Sequence, residues 1–213
     1  MNPLYSIVFI VLGWLLGLLS PHIIELISKP YRRSLIRESL LIELKDLRSN
    51  LAALAYLFVH QTGGLNREFI EWTQVMLGDK RNPGRELTAA EGLGGFLNFT
   101  DEQIQAVSHA VADPRPYLTI HRFAVPFLAA HVTSLSLFSA EFQRLALEIQ
   151  ASVGVINEHI DFLTFNFEKT FTAGLSERNH EALQTNMQTA RMATAQRARE
   201  ICDKITELAF LKK

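Results

Sequence analysis

VLGWLLGLLSP, residues 11–21, belongs to a run from Leu4 to Leu19 that has no charged side chain; apolar residues resume at Ile23 and Ile24, after Ser20, Pro21 and His22. A helix of about 16 to 21 residues rises roughly 24 to 31 Å, the thickness of a bilayer's hydrocarbon layer. The stretch is expected to form one transmembrane helix within an anchor of residues 1–30. Met1, Asn2 and Pro3 precede it and SPHIIEL follows it, so a secretory leader's basic start and small-residue cleavage site are both missing and the reading is an uncleaved anchor. Cations come afterwards, at Lys29, Arg32, Arg33 and Arg37. The positive-inside rule then places the amino terminus outside the inner membrane and residues 31–213 in the cytoplasm.

Gly13 and Gly17 are four residues apart, so they share one helix face on which a second backbone can come close. That G-x-x-x-G pair predicts a homo-oligomer packed within lipid, with Trp14 near mid-span against a neighbouring helix. Pro21 lacks an amide proton and is expected to kink or loosen the helix near its inner end. His22 and Glu25 read as solvated residues of the inner interface.

The 213 residues carry 21 Lys plus Arg against 22 Asp plus Glu, a formal net charge of -1, so the chain lacks the basic signature of a duplex-nucleic-acid binder. Any anion site must be local. The single cysteine, Cys202, cannot form an internal disulfide or a multi-cysteine metal site, which suits a reducing compartment.

Beyond the anchor, Ile36, Leu40, Leu44, Leu47, Leu51, Leu54 and Phe58 follow at steps of four and three, with charges off that line. This is an amphipathic helix with a narrow seam, continuing from the membrane segment unless the prolines at 21 and 30 uncouple the two. QTGG at 61–64 ends it, and a short helix runs from a cap at Asn66 to Gly78. The polar loop GDKRNPGRE, 78–86, is followed by two capping-box sequences, TAAE with Thr88 and TDEQ with Thr100; GLGGFLNF between them reads as a turn. DPRP at 113–116 closes this smaller helical insert of residues 63–122.

A stripe from Leu135 through Phe142, Ile149, Val153, Ile160 and Phe167 to Phe171 keeps steps of three and four, which predicts one or two very long helices with a bend at Gly154. TAGLSERN, 172–179, is a turn, and Leu183, Met187, Ala190, Thr194, Ala198, Ile201, Ile205 and Leu208 mark the last helix. YLTIHRF, 117–123, is the single stretch with strand-like alternation. FAVPFLAAHVTSLSLFSA, 123–140, carries no Asp, Glu, Lys or Arg and competes as a second span, although Pro126, His131 and its hydroxyl residues favour a helix buried in the bundle or an oligomer interface. The expected fold class is all-α: an amino-terminal transmembrane helix and a cytoplasmic bundle of long antiparallel helices.

No H-E-x-x-H, P-loop or G-x-S-x-G pattern is present, so catalytic residues, a metal site and a cofactor are not expected. Glu158, His159 and Asp161 are adjacent in sequence but point apart on a helix. GLGGF follows no strand and so lacks the context of a dinucleotide loop. What remains is a set of cations in and near loops: Lys80, Arg81, Arg85, Arg115, His121 and Arg122. Forked donors beside glycine-rich turns and helix starts suit an anionic ligand such as a nucleotide phosphate. The competing reading is a solvated loop with ion pairs to Glu86, Glu91 and Asp113.

The layout MNPLYSIVFIVLGWLLGLLSPHIIELISKPYRR followed by a helical cytoplasmic domain resembles small single-span effectors of bacterial antiphage defence, those of CRISPR or cyclic-oligonucleotide signalling. The resemblance implies a homo-oligomer that senses a cyclic nucleotide and disturbs membrane lipid through its spans. The alternative is a membrane-tethered helical scaffold that recruits a protein partner through an exposed apolar seam on the last helix and takes no small ligand.

Overall fold

The computed structural model describes residues 3–78, 93–112, 120–172 and 174–211; within them the side chains of 3–10, 15, 18–27 and 111 are outside the description. The first helix, α1, runs Pro3–Gln61 without interruption, 59 residues or about 88 Å. Pro21 and Pro30 both lie inside it, so neither proline ends the helix or separates its two halves. Each removes one amide donor, but a proline's φ suits a helix and the turns on either side remain hydrogen-bonded.

The predicted seam forms the core from Ile36 onward: Ile36, Leu40, Leu44, Leu47, Leu51, Leu54 and Phe58 are all buried. Nearer the amino terminus the described side chains are exposed, among them Val11, Leu12, Trp14, Leu16, Tyr31 and Leu35. Among the described residues no helix is long and apolar enough to cross a membrane. The apolar run 4–19 falls largely among side chains outside that description.

Two short helices follow on α1. In α2, Arg67–Leu77, the Asn66 side chain accepts from the Phe69 amide, and Gly78 closes the far end. In α3, Asp101–Val111, Thr100 and Gln103 form the expected capping box in both directions. Thr88 and its partner Glu91 lie outside the described residues. Gly63 turns the chain between α1 and α2 at φ 71°, a backbone conformation costly for a residue with a Cβ. The Leu65 amide donates to the buried hydroxyl of Ser108, and Ile70 and Ile104 belong to the same buried cluster as the α1 seam, so the insert shares the bundle's core.

The segment 123–140 is not a membrane-length helix. It consists of α4, Pro126–Ala130, and a 3-10 turn, Val132–Leu137. Pro126 starts α4, and the chain then folds back through His131 into tighter turns, a strap whose Val125, Leu128, Leu135 and Phe138 are buried. Polar bonds hold it at two places. Glu43 Oε1 and Oε2 of α1 accept from the amides of Phe127 and Leu128, at 2.7 and 2.9 Å. Asn157 pairs with the Phe123 backbone in both directions, each at 2.8 Å. Residues 120–125 have no regular structure, so the strand-like reading of 117–123 is not realised there; 117–119 lie outside the described residues.

The long stripe begins outside its helix. Leu135 and Phe138 belong to the strap, and α5 runs Ala140–Lys169 from a Ser139 cap. Its path is unbroken at Gly154, where a bend was expected; packing on both sides, by the buried Val153 and Ile156, holds the helical backbone. A Cβ at residue 154 meets open space. Gly154→Ala is therefore expected to raise stability by about 0.5–1 kcal/mol, measured as a shift of the denaturation midpoint, because alanine loses less backbone entropy.

The last helix, α6, Glu177–Phe210, is capped by Ser176 and lies between α1 and α5. Arg37 Nη2 of α1 donates to Leu211 O at 2.6 Å, Cys202 Sγ to Arg48 O at 3.4 Å, and Thr62 Oγ1 to Met192 Sδ at 3.0 Å. Toward α5, Lys204 Nζ reaches Glu148 at 2.8 Å, and Thr194 Oγ1 lies 3.2 Å from His159 Nδ1. Both sets of pairs run in opposite directions, so α6 is antiparallel to α1 and to α5. The fold is all-α, with no strand among the described residues.

Candidate functional site

The predicted anion site is brought together only in part. Lys80, Arg81, Arg85 and Arg115 lie outside the described residues. His121 and Arg122 are exposed on the irregular segment that Asn157 holds against α5. There Arg122 Nε faces Asp161 Oδ1 at 3.9 Å, an exposed pair whose carboxylate opposes an anion at that guanidinium. Glu158 is exposed and His159 turns toward Thr194, so the three neighbours of EHID diverge as expected.

The glycine-rich stretch spends its backbone on itself. Residues 93–96 form one helical turn, and the amides of Leu97, Asn98 and Phe99 donate to Gly94, Gly95 and Phe96. Those amides are not aimed at a ligand. Arg67, not singled out from sequence, fixes this turn to the start of α2: its Nε meets Asp101 at 2.7 Å and its Nη atoms donate to the carbonyls of Leu97 and Phe99. Its position beside the Asn66 cap was the only available signal, because its partners lie more than 29 residues away.

An open cavity of about 350 Å³ lies here, lined by Asn66, Arg67, Glu68, Glu71, Asp101 and Gln105. Three carboxylates against one guanidinium, itself occupied, make it unsuited to a phosphate. Glu68 also pairs with Arg199 at 2.6 Å. Acids in the first turn of α2 and α3 complement the helix dipoles, which accounts for them structurally.

Cys202 is not placed to serve as a nucleophile in the folded protein. It is buried, and burial pushes its thiol up to about 12, leaving almost no thiolate at neutral pH. In the folded protein a maleimide is expected to leave it unmodified and to react stoichiometrically once denaturant is added, as counted by intact mass. Among the described residues no group of three or more His, Cys, Asp or Glu is placed to hold a metal ion.

The remaining candidate is a surface rather than a pocket. Gly13 and Gly17 have open space where a Cβ would stand. Around them Val11, Leu12 and Leu16 are about half exposed, and Trp14 is 67% exposed, so among the described residues none covers the Trp14 ring. Apolar residues exposed on one stretch of helix make it a candidate surface for contact with lipid or protein. No family model, no curated protein and no solved structure matches the chain.

Proposed function

We propose that this protein is a membrane-anchored helical effector: a homo-oligomer whose cytoplasmic bundle responds to an anionic ligand, a cyclic nucleotide in the favoured form, and whose spans then disturb the inner membrane. One observation carries the reading. The helix that supplies the bundle's main seam is the same unbroken helix that contains the apolar amino-terminal stretch. With no break at Pro21 or Pro30, a tilt of the bundle is transmitted to the stretch bearing Gly13 and Gly17. The amino terminus then lies outside and the bundle in the cytoplasm, following the cations after residue 28.

A ligand can drive such a change only through different affinities for two arrangements. On this proposal the cations at Lys80, Arg81, Arg85, Arg115, His121 and Arg122 receive it, and the anion displaces Asp161 from Arg122. That exchange releases Asp161 on α5 and supplies the differential contact. The test is titration of the full-length protein in lipid nanodiscs with cyclic oligoadenylates. Saturable binding that is weakened at least tenfold by Arg81→Ala and by Arg122→Ala is expected. No saturable binding rejects the sensor.

The Arg122–Asp161 pair also favours a second reading, since it leaves that cation engaged without a ligand. In that reading the chain is a membrane-tethered scaffold; Met187, Ala198, Ile201, Ile205 and Leu208 of the last-helix seam are buried in the bundle, so the exposed Phe162 and Phe165 beside the pair on α5 contact the protein partner instead.

A further inference from the structure

The carboxy-terminal end of α6 returns to the end of the bundle from which α1 leaves toward the amino terminus. Arg37 fixes it there, with Nη2 donating to Leu211 O at 2.6 Å and lying 3.5 Å from Ala209 O. The last turn of α6 has no basic residue of its own, so the guanidinium of α1 supplies the cation that its carbonyl end favours. Arg33 lies over the Phe138 ring at 5.7 Å and closes the same end against the strap. Two stretches of sequence more than 170 residues apart thereby share one surface.

Its composition is specific. Phe210 is 82% exposed, Tyr31 74% and Leu35 54%, and Arg32 beside them is exposed as well. No acidic residue occurs between Glu25 and Glu38, while Lys29, Arg32, Arg33 and Arg37 all fall in that interval. The acids of the neighbouring helix ends, Glu141 and Glu207, lie near Arg144, whose first partner is Glu148 at 2.8 Å, so they belong to a mixed-charge group on the α5 and α6 side of this end rather than to the α1 interval. Exposed aromatics with arginines on an otherwise polar bundle match the chemistry of a headgroup layer, where rings sit at the interface and cations meet lipid phosphates. Arg33 follows Leu26 and Ile27, the apolar pair that ends the anchor, by six residues, or about 9 Å of helix, comparable with the depth of that layer.

We propose that this end of the bundle, formed by Tyr31, Arg32 and Leu35 of α1 with Phe210 of α6, docks on the anionic lipid surface around the anchor. The inference rests on the anchoring of α1 and adds a second, reversible contact to it. The bundle is thereby held end-on against the leaflet, and release of Phe210 from the headgroups becomes the step that frees it to tilt.

The test uses the full chain in nanodiscs of phosphatidylcholine, either alone or with roughly one-third phosphatidylglycerol. A nitroxide is placed through Phe210→Cys or, separately, Leu12→Cys; buried Cys202 takes no label. The label at 210 is expected to be open to aqueous nickel in the neutral discs and shielded in the anionic ones. Adding Arg32→Glu is expected to restore the neutral-disc exposure. Equal nickel exposure at 210 in both discs, with the label at 12 in lipid, overturns the docking and leaves the anchor standing. Shielding at 210 that rises with protein copies per disc and ignores lipid charge assigns the surface to a second copy and also overturns it. A water-exposed label at 12 overturns anchor and docking together.

Discussion

Ile201→Ala is expected to destabilise the protein by about 3 kcal/mol, within the 2–5 kcal/mol range for truncating a buried aliphatic side chain, and to broaden or lower its thermal transition. Ile201 is fully buried in α6, one residue before Cys202, which meets Arg48 of α1, and three before Lys204, which meets Glu148 of α5. Those two helices each pack extensively on α6, so the cavity opens where both depend on it. Ala195 and Ala198, also buried on α6, leave little slack for neighbours to collapse inward. A domain's total stability is about 5–15 kcal/mol, so the loss is a large share. A change under about 1 kcal/mol by denaturant titration contradicts the placement of α6 between its neighbours.

Glu43→Ala is the next largest expected effect, about 2 kcal/mol or more, because it leaves two amides without their acceptor. The carboxylate takes both the Phe127 and the Leu128 donors, and bonds to a charged acceptor are worth more than neutral ones. Glu43→Gln keeps one acceptor oxygen and is expected to lose about half as much. Hydrogen exchange localises the effect: amides of α4 are expected to exchange faster in both variants, with the centre of α5 nearly unchanged. Uniform acceleration across all helices contradicts a local strap.

These two sites differ in how visible they were before folding. Ile201 belongs to a stripe at helical spacing, as does the α1 seam, while the Asn66 cap and the Thr100 box were legible from cap-forming residue types at their fixed spacing. Glu43 lies off the α1 stripe with nothing in the pattern to mark it, since its partners are backbone groups 84 and 85 residues on. Asn157 was hidden for the same reason, a polar side chain whose bonds go to Phe123, 34 residues back.

The stripe from Leu135 to Phe171 was over-read because a 3-10 turn and an α-helix both bring residues three apart to one side. The step from Leu135 to Phe138 therefore looks helical, while the Ser139 cap marks the true start of α5. At the cation cluster, the sequence showed charges near loops but not the Asp161 that faces Arg122 across 39 positions of chain. Arg67 was missed because its role is to tie a turn together through carbonyls, for which no residue pattern exists.

In the proposed function, α1 holds the bundle to a bilayer through its apolar first part. Alkaline carbonate extraction of membranes from cells producing the full chain tests this directly, since it strips proteins attached through headgroups and partners but leaves a spanning helix in place. The protein is predicted to remain in the membrane pellet at high pH. Recovery of the intact chain in the supernatant would contradict the anchor and every functional step proposed through it.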